Sequence, residues 1–190
     1  MSNSNITGVI LAGGKNSRMG SDKGMLEVEG KKIVDRIIDV MKPLVHEIII
    51  ISNGENYNNL GYPVYKDLIK DCGPMGGIYT ALNHSKTDKI LVSSCDMPFI
   101  SESILKPLVD EADNADIVLP RHSENNLEPL CAVYSKSCFS KFADLLKRGD
   151  WKMKDALKYF KLKKIPFPES ENPEHYFLNV NTPAEYLSIK

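Results

Sequence analysis

Residues 47–52 read EIIIIS, a short, β-branched and uninterrupted apolar run. Such a run marks a strand covered on both faces, as in a parallel sheet flanked by its own crossover helices. The neighbouring chain keeps the same rhythm. "ITGVILA" reads as a first strand, and "KKIVDRIIDVMKPL" sets Ile33, Val34, Ile37, Ile38 and Met41 at helical spacing. "PVYKD" is a short strand, "GGIYTALNHS" a helix, and "KILVSSCD" a buried strand that ends in an acid. "SESILKPLVDEADN" is a helix that Ser101 can cap and Pro107 can kink, and "ADIVLP" is another strand. Strand–helix alternation over residues 1–120 implies right-handed βαβ units and a parallel sheet.

Beyond that point the pattern changes. "LEPLCAVY" reads as a strand returning antiparallel, and "SKSCFSKFADLLKR" and "WKMKDALKYF" read as helices. "NVNTPAEYL" holds a helix start, with Thr182 as N-cap, Pro183 at the first helical position and Glu185 closing a capping box. The expected class is α/β, mostly parallel, with one antiparallel strand in the C-terminal half. The 190 residues suit one domain, 1–190.

A net charge of −1 argues against nucleic acid or a membrane surface as the main partner. No apolar run approaches the roughly 20 residues that span a bilayer. The start, "MSNSNITGVILAGG", lacks a basic segment before a cleavable apolar core, so no signal peptide is expected. The four cysteines, Cys72, Cys95, Cys131 and Cys138, form no CxxC pair and read as free thiols in a reducing cytoplasm. The histidines are scattered, which speaks against a structural zinc site.

The chemistry gathers in four places. The first is "LAGGKNSRMGSDKG", residues 11–24, at the carboxyl end of the first strand. It fits neither the P-loop spacing nor the dinucleotide fingerprint. Gly13 and Gly14 nevertheless let backbone N–H groups approach an anion. Arg18 can fork onto phosphate oxygens, and Lys23 supplies a point charge. Ligands of open α/β sheets bind beyond the strands' carboxyl ends, where this loop falls. The second is "SSCDMP", where Asp96 follows a buried strand onto the same edge. One carboxylate there, joined by phosphate oxygens and waters, suits Mg²⁺, although an Asp can also cap the next helix. The third is "DCGPMGG", a Gly-Pro turn into a helix whose N-terminus can meet an anion or a base edge; taken alone it is equally a plain turn. The fourth is "NVNTP", where alternation puts Asn179 and Asn181 on one face, as ligands for a heterocycle or simply as caps. "KLKK" reads as a solvated face and Trp151 as packing against a helix. No serine or cysteine has a placed histidine, so covalent catalysis has no support.

Together these motifs resemble the nucleotidyltransferases that carry LAGGxSxRMGxDK. Within that superfamily, "CGPMGG", "CDMPFI" and the terminal "NVNTPAEY" make the chain similar to the MobA-type molybdenum cofactor guanylyltransferases. The resemblance runs over nearly the whole chain. It implies a Rossmann-like, three-layer nucleotidyltransferase fold whose N-terminal part binds GTP and whose C-terminal part binds molybdopterin. It also implies transfer of GMP from GTP to molybdenum–molybdopterin, with Mg²⁺ as cofactor. Carried over by position, Leu11, Ala12, Gly13 and Gly14 line the GTP site, with Lys23 and Arg18 on its phosphates. Asn53 and Asp67 lie against the nucleoside, Gly76 and Gly77 bring backbone close to the guanine, and Asp96 ligates Mg²⁺. Asn179 and Asn181 fall on the pterin side. Arg18, Lys23 and Asp96 are the expected catalytic set. A sister enzyme using CTP has the same first loop and differs at the base pocket. Transient contact with molybdopterin-synthesis proteins and molybdoenzyme chaperones is the protein–protein expectation.

Overall fold

The computed structural model describes residues 5–13, 22–121, 126–167 and 172–190. The chain opens with β1 (Ile6–Leu11), a 3-10 turn at Lys23–Met25, and a small hairpin of β2 (Glu27–Val28) and β3 (Lys31–Lys32). There follow α1 (Ile33–Met41), β4 (Glu47–Ile51), β5 (Val64–Tyr65), α2 (Gly73–His84), β6 (Lys89–Ser94), α3 (Glu102–Asp110), β7 (Ile117–Arg121) and β8 (Cys131–Ser135). The last third adds α4 (Cys138–Arg148), α5 (Met153–Ala156), β9 (Leu162–Pro166), α6 (Pro173–Tyr176) and α7 (Pro183–Leu187).

Among the described residues, seven strands form one sheet in the order β5-β4-β1-β6-β8-β7-β9. All adjacent pairs are parallel except those made by β8, which runs antiparallel to both β6 and β7. The antiparallel strand expected in the C-terminal half is therefore β8. Successive strand side chains point to opposite faces, and that alternation sorts the core into two layers. Ile10, Ile48, Ile50 and Leu91 face one layer with Ile33, Ile37 and Met41 of α1 and Ile104, Leu105 and Leu108 of α3. Val9, Ile49, Ile51, Ile90 and Val92 face the other, with Met75, Ile78 and Leu82 of α2 and Phe142, Leu145 and Leu146 of α4. Helices on both faces of a parallel sheet give the three-layer arrangement expected.

Several local expectations resolve differently. "WKMKDALKYF" is not one helix: α5 gives way to a 3-10 turn at Leu157–Tyr159. Ser101 occupies the N-cap position of α3, but its hydroxyl pairs with Ser103 Oγ at 2.8 Å and not with the helix backbone. "KLKK" contributes to β9, an edge strand parallel to β7 with Lys163 and Lys164 exposed and Leu162 and Ile165 half-buried. Lysines on an edge strand discourage further strand pairing. The α7 start is as read, a complete capping box between Thr182 and Glu185.

The strand order creates the crevice. From β1 the chain crosses by α1 to β4 on one side, while α2 carries it to β6 on the other. Where neighbouring connections diverge in this way, the carboxyl ends of the strands leave a cleft. Leu11 pairs in register with Ile51 and with Ser94, so the loops after β1, β4 and β6 all leave from one edge. Two further bonds lock that edge, Ala12 N–H to the Ile51 carbonyl at 2.9 Å and Cys95 N–H to the Leu11 carbonyl at 3.0 Å.

Candidate active site

Leu11 and Ala12 are buried at the end of β1, and Gly13, which follows, is exposed with open space where a side chain would stand. Gly14 and Arg18 lie outside the described residues. The chain returns with Asp22, whose carboxylate accepts the Gly24 N–H at 3.3 Å and caps the short turn that carries Lys23. Lys23 Nζ lies 3.5 Å from Asp96 Oδ2 and donates to Asn181 Oδ1 at 2.6 Å. Three distant stretches of sequence thus meet at one ammonium group.

Asp96 sits at the corner after β6. Its Oδ1 is buried and, among the described residues, has no hydrogen-bond partner. A buried carboxylate oxygen without a donor is costly unless something positive joins it. Among the described residues no cluster of three or more carboxylate, histidine or cysteine side chains forms. A single carboxylate suits a hard divalent cation that keeps its waters and shares substrate phosphates, and it does not suit an all-protein metal cage. Asp96 therefore fits the metal role, with Oδ1 as the open ligand atom.

The terminal segment docks directly on this corner. Val180, fully buried, donates its N–H to the Asp96 carbonyl at 2.9 Å. Asn179 and Asn181 take different partners: the Asn179 amide donates to the Phe177 carbonyl at 3.0 Å, and the Asn181 side-chain oxygen accepts from Lys23 at 2.6 Å. Glu185 accepts the N–H of Asn181 at 2.6 Å and of Thr182 at 2.9 Å, and these bonds hold its carboxyl below the ordinary value of 4.5. A carboxylate with a depressed native pKa contributes stability above its ordinary value and loses it as pH falls through the depressed one. The amide resonances of Asn181 and Thr182 should accordingly shift together in an acid titration, with a midpoint below 4.5. A midpoint at or above that value would contradict the capping role.

A second group lies beside β4 and β5. Asn53 Nδ2 donates to Asp67 Oδ2 at 2.8 Å, and the Asp67 N–H returns to Asn53 Oδ1 at 3.0 Å. Partial burial raises the Asp67 pKa, and the Asn53 amide opposes the shift. The reciprocal pair uses Asp67 Oδ2 and the backbone N–H, and Oδ1 faces the Gly77 position of α2. Gly77 explains itself by close approach: a Cβ there would stand 3.1 Å from Leu11 Cδ2 and 3.8 Å from Asp67 Oδ1. At Gly76 a Cβ would meet the Ile69 carbonyl at 3.0 Å. Both glycines are buried, so each lets α2 sit tight under the loop that holds Asp67.

The thiol beside Asp96 does not compete for the chemistry. Burial, with Asp96 beside it, pushes the Cys95 thiol up to about 12, so it stays protonated. His84 stacks on Tyr65 at 3.9 Å and His175 on Phe99 at 4.3 Å. All four cysteines are free and buried, as read from their spacing. Sequence reasoning missed Asp22, Tyr57 and Arg36. Arg36 ties β2 to the Asp96 loop, donating to the Val28 and Pro98 carbonyls at 3.1 Å each. Asp22 had a usable signal, an acid immediately before the lysine of a turn; Tyr57 and Arg36 had none.

The model of the MobA-like NTP transferase domain matches residues 8–164. The chain belongs to the MobA-like NTP transferase family. A relative from Pelotomaculum thermopropionicum, named a probable molybdenum cofactor guanylyltransferase, is 38% identical and aligns with 97% of this chain and 91% of its own. Among solved structures, molybdopterin-guanine dinucleotide biosynthesis protein A from Archaeoglobus fulgidus superposes with a TM-score of 0.80 at 24% identity, covering 97% of this chain and 96% of that one. A Mycobacterium tuberculosis protein, Rv0371C, solved as a complex with manganese, shares the fold with a TM-score of 0.71 at 19% identity, covering 97% of each chain. Residues 11–13, the Asp96 corner and the Asn53–Asp67 pair all lie along the carboxyl edge of the sheet, where open α/β folds bind ligands.

Proposed function

We propose that this chain transfers GMP from GTP to molybdenum–molybdopterin, forming molybdopterin guanine dinucleotide and releasing pyrophosphate. The observation that carries the reading is the meeting of Lys23 with both Asp96 and Asn181, because it places a nucleotide-loop cation and the terminal NVNTP segment on one carboxylate corner. The curated relative named above supports the substrate pair.

On this reading the acceptor's terminal phosphate oxygen attacks the α-phosphorus of GTP. A P–O bond forms there, and the bond from the α-phosphorus to the bridging oxygen of the pyrophosphate breaks. The attacking phosphate is already ionised at neutral pH, so no strong general base is required. The protein must instead align two anions and offset their repulsion. At about 4 Å and an effective dielectric near 20, each pair of like unit charges costs roughly 4 kcal/mol. Lys23 would meet the phosphates, with the backbone of Leu11, Ala12 and Gly13 on the same anion path; the reading also assigns the phosphates to Gly14 and Arg18, which lie outside the described residues. Asn53, Asp67, Gly76 and Gly77 stand on the guanine side, where the Asp67 carboxylate can accept N–H groups of the base. Asn181, with Asn179 near it, faces the pterin. Asp96 holds a divalent cation, Mg²⁺, which supplies further positive charge to the phosphates when bound.

The N-terminal part of the domain thus serves GTP and the C-terminal segment serves the acceptor. A cytoplasmic setting and transient contact with acceptor-synthesis proteins and molybdoenzyme chaperones complete the proposal. Among the described residues no helix is long and apolar enough to cross a membrane. The test is pyrophosphate release from GTP by the purified protein with Mg²⁺, with and without molybdenum–molybdopterin. Release that depends on the acceptor is expected. Tight GTP binding with no release in the presence of authentic acceptor would mark a nucleotide-binding regulator instead.

A further inference from the structure

Tyr57 is fully buried although it lies in a polar stretch, "GENYNNLGY". Its hydroxyl donates to Asp22 Oδ1, and Asn56 Nδ2 donates to Asp22 Oδ2 at 3.2 Å. Burial pushes the phenol far above its ordinary range, so Tyr57 stays the donor and Asp22 the acceptor. The fit is tight: a Cβ on Gly24 would stand 2.5 Å from the Tyr57 oxygen and 3.3 Å from Cys95 Cβ. Tyr57 is therefore wedged between the turn that carries Lys23 and the corner that carries Asp96. The corner is itself fixed, since the Cys95 N–H bonds the Leu11 carbonyl at 3.0 Å. The segment bearing Tyr57 is anchored too, by the Gly54 N–H to Ser52 Oγ at 3.2 Å and by Asn53 to Asp67.

We infer that Tyr57 and Asp22 are positioning residues: they brace the Lys23 turn against the Cys95–Asp96 corner and so set where the ammonium group stands relative to the carboxylate. Nothing here gives either residue contact with the reacting atoms. They act through Lys23. Residues 53–57 then serve both ends of the site, since Asn53 holds Asp67 while Asn56 and Tyr57 hold Asp22. A brace of this kind changes how well the site meets the transition state more than how tightly it binds the ground state.

For the reaction this rests on the guanylyl-transfer reading, but one readout needs no substrate. In Tyr57→Phe, amide hydrogen exchange across the Lys23–Met25 turn should quicken by about tenfold, as expected when one buried hydrogen bond is lost. In the same variant kcat with GTP should fall by about tenfold while KM stays within about threefold. Tyr57→Phe made in a Lys23→Ala background should cost no further activity, because the two changes act through one group. Asp22→Asn keeps an acceptor oxygen on a partly exposed side chain and should retain most of the activity that Asp22→Ala loses. Unchanged exchange in the turn would overturn the inference, even if the wild type proved inactive with GTP. An equal loss from Tyr57→Phe with and without Lys23 would overturn it as well.

Discussion

Lys23→Ala should lower guanylyl transfer by about 10²–10³-fold, the usual cost of removing one preorganised group that meets developing charge. The expected effect is large because Lys23 stands where the loop after β1, the Asp96 corner and the terminal segment converge. It should not come from unfolding. The Lys23–Asp96 ion pair is partly solvated, and such pairs contribute only about 0–1 kcal/mol. Thermal unfolding and pyrophosphate release measured on the same preparation separate the two effects. A melting temperature within about 4 °C of wild type, with activity reduced by two orders of magnitude or more, is the predicted outcome. Activity within about threefold of wild type would remove Lys23 from the phosphate path.

Asp96→Asn should also be severe, but with a different signature. The substitution keeps the shape of the side chain and removes a partly buried charge that pairs with Lys23 through Oδ2, while Oδ1 has no hydrogen-bond partner among the described residues. Stability should change little, since the ion pair that is lost is partly solvated and such pairs contribute only about 0–1 kcal/mol. Activity should fall by about 10²-fold or more at saturating Mg²⁺, and the concentration giving half-maximal rate should rise by at least about tenfold. A titration of rate against Mg²⁺, beside a thermal melt, reads both quantities. Near wild-type transfer at limiting Mg²⁺ would detach the metal from Asp96.

Much of the architecture was legible because its signals are local and periodic. The isoleucine run of β4, the helical spacing in α1 and the Thr182–Glu185 capping box each state their structure in a few residues. Strand β9 was not, because Lys163 and Lys164 dominate its composition and only register with β7 makes it a strand. The break after α5 leaves Met153, Ala156 and Leu157 buried in one cluster with Phe142, Leu145 and Leu146 of α4, and no short window contains that packing. The site divides the same way. Lys23 and Asp96 announce themselves as charges at strand ends. The bond from Lys23 to Asn181 spans 158 residues, and alternation alone names neither asparagine's partner. Gly76 and Gly77 lie in a recognisable turn, yet their need for hydrogen in place of a side chain comes from Ile69 and Leu11 across the packing. Tyr57 is the extreme case, a lone aromatic in a polar loop whose role exists only after Asp22 and Cys95 close around it.

Guanylyl transfer is decided by which nucleotide becomes part of the product. The purified protein, given equimolar GTP and CTP with Mg²⁺ and molybdenum–molybdopterin, should yield a dinucleotide whose mass carries guanine, with no cytosine product. A cytosine dinucleotide as the main product would contradict it and make the chain a cytidylyltransferase on the same fold.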